Sequence, residues 1–177
     1  MSDPVRAAFV VEGITDYYVL CAAAEAVLGG RSLVPTLLQP ERSEAFAPVG
    51  QATGGGWPGV YRWCRQVVAQ SDGVRGNVVL VTHDLLVVQL DADVATATYA
   101  QGHIDDDAGD LPCRQACPPP DATTDALRRA MLRWLGEDAV PPRVVLCTPS
   151  KATEAWLLAA FVSTSSRTYR SRISWTN

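Results

Sequence analysis

Lysine is almost missing from this chain: of fifteen basic residues fourteen are arginine, and Lys151 is the only ammonium. Abundant Ala, Val and Gly accompany the arginines, so the preference itself fits a compositional bias. The single lysine stands out by position, three residues before Glu154, and lysine is the basic side chain whose pKa an environment can tune. Net positive charge is missing too, the formal value being -4. A protein that grips nucleic acid through a broad electrostatic surface is usually basic. A phosphate-bearing substrate would therefore need a local patch, a bound metal or a partner. No apolar run approaches the roughly 18 residues of a membrane span. The start carries Asp3 and no long apolar stretch, so neither a signal peptide nor a membrane partner is expected. The five cysteines, Cys21, Cys64, Cys113, Cys117 and Cys147, are odd in number and scattered. That pattern excludes a full disulfide framework and points to a reducing, cytoplasmic setting.

What is present suits one domain. The chain has 177 residues, 47% hydrophobic and 19% charged, enough for a core without staples. Ala7 to Val11 predicts a buried strand that ends at Glu12, and Gly13 permits a turn. Thr15 or Asp16 can cap the helix that follows. Tyr17, Leu20, Cys21, Ala24, Val27 and Leu28 recur at helical spacing until Gly29-Gly30 stops them. Leu33 to Leu38 reads as a strand interrupted by Pro35.

After a loop ending in Gly54-Gly55-Gly56, Trp57-Pro58 opens a helix lined by Val60, Trp63, Cys64, Val67 and Val68. Asn77 to Val81 and Leu85 to Leu90 are two apolar runs, the second the stronger strand. Residues 95–120 form a long polar connection. Ala126 to Leu135 is an amphipathic helix, Val144 to Cys147 a strand, and Lys151 to Val162 a helix carrying Trp156, Leu157 and Phe161. Strand and helix in alternation predict an α/β fold built on a parallel sheet of about four strands flanked by helices. Residues 1–162 form the expected single domain, and 163–177 an irregular or disordered tail rich in Ser, Thr and Arg.

Three acidic groups come after apolar runs: Glu12 with Asp16 and Asp91 with Asp93 directly, and Glu154, beside Lys151, seven residues past Cys147. Carboxylates at the ends of buried strands are costly unless compensated, and a hard divalent cation is the usual compensation. Asp91 and Asp93 are two apart, so in an extended chain both would face one cleft. The bland alternatives are two solvated loop aspartates for that pair, and a helix-dipole role for Asp16.

Val10-Val11-Glu12-Gly13, followed by a helix and later by Val88-Gln89-Leu90-Asp91-Ala92-Asp93 at a strand end, resembles the toprim domain. That domain is shared by topoisomerases, DnaG-type primases and overcoming-lysogenization-defect nucleases, and the resemblance covers about residues 7–161. It implies a Rossmann-like parallel sheet and Mg²⁺ (or Mn²⁺) held by Asp91 and Asp93. Glu12 would then be a general acid or base and itself a metal ligand, through a second metal shared with Asp16, the further acidic ligand of the nuclease branch. Glu154 and Lys151 are looser counterparts of that branch's downstream metal-binding acid and catalytic lysine. The implied activity is metal-dependent phosphodiester chemistry on DNA or RNA, in small stand-alone relatives often tied to mobile elements or defence. The G-x-x-x-x-G-K-[ST] loop of an ATPase is missing, so an ATPase would have to be a separate partner.

Two rival functions remain open. Leu90-Asp91-Ala92-Asp93-Val94 also matches the opening motif of a haloacid-dehalogenase-type phosphatase. Against that, Glu154 is the only acid after Thr148, where such a phosphatase needs a distal pair. A non-catalytic toprim-like subunit that partners an ATPase is the other. Weaker signals are a half zinc site at Cys113 and Cys117 with His103 nearby, and Asp105-Asp106-Asp107, read as solvated loop. Trp63, Trp134 and Trp156 are expected on helix core faces.

Overall fold

The computed structural model describes residues 3–40, 54–71, 73–105, 111, 121–150, 152–154 and 156–157. Four strands make one sheet: β1 (Val5–Val10), β2 (Leu33–Gln39), β3 (Leu85–Gln89) and β4 (Val144–Cys147). The order is β2-β1-β3-β4, and every pairing is parallel. Parallel pairing requires crossovers, supplied by helices α1 (Ile14–Leu28), α2 (Gly56–Gln70), α3 (Val78–Thr82) and α4 (Asp121–Trp134). The fold is α/β, a four-stranded parallel sheet flanked by helices, as the alternation predicted.

The central strands are apolar on both sides, as a covered parallel sheet demands. Ala8, Val10, Leu86 and Val88 face α2 and α4, whose Val60, Cys64, Ala130 and Trp134 share their core. Ala7, Phe9, Val11 and Val87 face the other way, toward Leu20 and Cys21 of α1. α1 covers only part of that side. Beside it lies an apolar groove of about 310 Å³, lined among the described residues by Phe9, Val87, Val145, Cys147 and others.

β2 tolerates Pro35 because it is an edge strand, paired only with β1. Its missing N–H costs no ladder bond there. The run Asn77 to Val81 is not a strand. Asn77 caps a short helix instead, its Oδ1 accepting from Val79 N at 3.0 Å. Its valines 78 and 81 point to solvent, so β-branched composition alone misleads here.

The connection after β3 is also more ordered than its polarity suggests. Tyr99, in a 3₁₀ turn (Tyr99–Gly102), is buried against Trp57, Tyr61 and Trp134, and Trp134 Nε1 donates to its hydroxyl at 2.9 Å. Trp134 and Trp63 pack as expected, but Trp156 does not: it is 41% exposed. The segment around it is helical at 154 and 156–157. Phe161, Val162 and the 163–177 tail lie outside the described residues.

Candidate metal centre

An open α/β sheet places its ligand crevice at the carboxyl ends of the strands, where the strand order reverses. Here the chain steps outward from β1 to β2 and then returns past β1 to β3. The switch point is therefore the β1/β3 boundary. Glu12 and Asp91 both lie just past it.

β1 delivers Glu12 two residues after its end, and Gly13 is the N-cap of α1. Glu12 N donates to Gln89 Oε1 at 3.1 Å, and Glu12 Oε1 accepts from Asp91 N at 2.7 Å. The glutamate thus bridges the two central strand ends. One turn into α1, buried Asp16 reaches back to accept from Gly13 N at 2.9 Å. That bond satisfies one of the helix's orphan amides and fixes the carboxylate at the rim.

β3 delivers Gln89, Leu90 and Asp91. Asp91 Oδ1 accepts from Gln89 Nε2 at 2.7 Å and from Thr153 Oγ1 at 3.2 Å. The chain past β4 lies alongside, with Leu90 N donating to Cys147 O and Ala92 N to Pro149 O, each at 3.0 Å. It carries Thr153 and Glu154 to the same rim. Asp16, Asp91 and Glu154 each offer a carboxylate oxygen, and these oxygens lie within 4.8 Å of one another.

Asp93 is placed differently from the extended-chain expectation. The backbone turns at Asp91 into a 3₁₀ helix, Ala92–Thr96, so the two-residue alternation of a strand no longer applies. Asp93 is exposed and outside the converging trio. Its charge still bears on Asp91 and Glu12. Glu12 stands beside the trio, bonded to its backbone. Lys151 lies outside the described residues, as do Cys113 and Cys117. His103 ends the 3₁₀ turn with a left-handed backbone.

Burial dominates the electrostatics. It pushes Glu12 up to about 8, and the charges of Asp91, Asp16 and Asp93 add to it, against the Asp91 N–H bond that lowers it. Asp91 rises to about 6, again first through burial and then through Asp16, with the Thr153 hydroxyl opposing and Asp93 and Glu154 adding. Asp16 is raised by burial and by Glu154, against a Thr153 hydrogen bond. Among the described residues no cation figures in the causes of these shifts, and the ion pairs Arg75–Glu137 and Arg128–Asp125 lie elsewhere.

A cluster of carboxylates that no cation among the described residues compensates fits a hard divalent ion, and an all-oxygen donor set is the chemistry of Mg²⁺ or Mn²⁺ rather than zinc. One more polar group at this rim lacks a partner. Thr148, immediately after β4 and 7% exposed, has its Oγ1 without a hydrogen bond among the described residues.

Two members of the centre were not anticipated from sequence: Gln89, fully buried, and Thr153, also at 0% exposure. The available signal was a glutamine inside Leu85 to Leu90, an amide that burial obliges to find partners. Among the described residues no helix is long and apolar enough to cross a membrane. Comparison of the chain with protein-family models, curated proteins and solved structures returns no match.

Proposed function

We propose that this protein carries out Mg²⁺- or Mn²⁺-dependent phosphodiester chemistry on nucleic acid, in the manner of a toprim-type nuclease. The observation that carries the reading is the convergence of Asp16, Asp91 and Glu154 within 4.8 Å at the switch point of the sheet. A divalent ion held there supplies charge neutralisation for a bound phosphate and an acidified water.

The chain's own residues do the rest. Asp16 and Asp91 are held in place by the Gly13 amide and by Gln89, so the acidic rim is set before anything binds. Glu12 spends Oε1 on the Asp91 amide, leaving Oε2 to carry a proton. Burial raises the Glu12 pKa to about 8 in the metal-free protein, a shift that favours a carboxyl able to exchange a proton. Lys151, three residues before Glu154, completes the proposed set as the cation for charge developing on the leaving oxygen.

Incubating the isolated chain with plasmid DNA and with single-stranded RNA, plus Mg²⁺, Mn²⁺ or EDTA, tests this. Cleavage that needs the metal and vanishes in Asp91→Asn is the expected result. Two outcomes redirect it. Hydrolysis of a small phosphate ester without nucleic-acid cleavage favours the phosphatase reading. Metal binding without either activity, in a chain that co-purifies with an ATPase, favours the subunit reading, which the acidic net charge of -4 and the missing phosphate loop support.

A further inference from the structure

We propose that Gln89 and Thr153 are the positioning residues of the acidic centre, fixing which oxygen of Asp91 is presented to a divalent cation. The inference rests on the metal-site reading above and adds two residues that touch neither ion nor substrate.

A primary amide at 0% exposure is tolerated only if its polar atoms are bonded. Gln89 faces Glu12 N, a backbone group that can only donate, so the atom turned to it at 3.1 Å must be Oε1. That assignment leaves no freedom at the other end. Nε2 is directed at Asp91 Oδ1, 2.7 Å away, and at Thr153 Oγ1, 3.3 Å away. The strand-end amide therefore dictates a donor, not an acceptor, against Asp91.

Thr153 is equally buried. Its oxygen takes the Gln89 hydrogen, and its single proton is shared between two claims, Asp91 Oδ1 at 3.2 Å and the Asp16 carboxylate. Oδ1 is thus taken by the Gln89 donor, and by the Thr153 proton when it turns that way, so the oxygen of Asp91 left for a cation is Oδ2. The pair also joins every element that brings an acid to the centre. Gln89 sits in β3 and holds the first residue after β1's apolar run, while Thr153 touches α1 through Asp16 and immediately precedes Glu154. Removing either group frees the Asp91 carboxylate to rotate and loosens the spacing of the trio without deleting a ligand.

The test is calorimetric titration of the full chain with Mn²⁺, with thermal unfolding in metal-free buffer as a separate readout. Thr153→Val keeps the shape and loses the hydroxyl, so Mn²⁺ affinity should fall roughly 10- to 100-fold while the metal-free melting temperature stays close to that of the parent. Thr153→Ser should restore the affinity. Gln89→Glu, which sets an acceptor against Asp91, should weaken binding as Thr153→Val does; if it fails to fold, the two Thr153 variants decide alone.

If Asp91→Asn abolishes Mn²⁺ binding but Thr153→Val binds as tightly as the parent, the positioning inference is wrong and the metal site stands. If the parent chain itself takes up no Mn²⁺, the metal reading fails and takes this inference with it.

Discussion

Glu12 illustrates how one side chain can be legible in sequence while its state is not. Its place after an apolar strand and before a glycine marked it as buried and chemical. Its partner, the Asp91 amide, lies 79 residues away and only the fold supplies it. Glu12→Gln keeps an oxygen for that amide and removes the titrating proton. The proposed nuclease activity should then drop by roughly 10²- to 10⁴-fold, measured as initial cleavage rate, with Mn²⁺ affinity little changed. An unaltered rate would exclude Glu12 as the proton carrier. Asp93 shows the reverse: its spacing from Asp91 suggested a shared ligand pair, and a 3₁₀ turn moved it to the surface.

At the scale of elements, apolar periodicity identified the strands and helices that pack with both neighbours present in sequence. β1, β3 and β4 followed from short apolar runs, and α1 from spacing closed by Gly29, whose φ of 58° suits a residue without a Cβ. Periodicity failed in two places, one because of a local cap and one because of a tertiary contact. The 78–82 run is helical because Asn77 caps it, and Tyr99 is buried because α2 and α4 leave a slot for its ring.

That aromatic slot is a stability element with a measurable weight. Trp134→Ala removes a fully packed indole and the donor to Tyr99, and should cost about 3–5 kcal/mol in chemical denaturation. The turn facing α2 is equally demanding. A Cβ on Gly102 would come within 2.6 Å of the Trp57 ring, so Gly102→Ala should lower the melting temperature at a cost of about 1–3 kcal/mol. A neutral result would mean that the Trp57 ring yields.

The whole molecule carries an electrostatic debt at one rim. Burial raises Asp91 to about 6 and Glu12 to about 8, from the ordinary values of 3.8 and 4.5. A raised carboxyl binds protons more tightly in the folded state than in the unfolded one, so stability falls as pH rises. The metal-free protein should therefore be most stable below about pH 4 as far as these groups are concerned. It should lose stability through pH 6 as Asp91 ionises and through pH 8 as Glu12 follows. Thermal unfolding across that range, with and without Mg²⁺, checks it. The metal should flatten the slope and raise the melting temperature most at the alkaline end. A metal-free profile that rises with pH there would contradict the assigned shifts.

The sequence alone determined the class of fold and the cast of acids, because alternating apolar segments force a covered parallel sheet and a carboxylate after a buried strand has few bland explanations. It could not decide which acids meet. Convergence depends on the order β2-β1-β3-β4, on a backbone turn at Asp91, and on a glutamine and a threonine that take partners from distant strands. Those are long-range hydrogen bonds, and no local pattern encodes a partner 64 or 77 residues away.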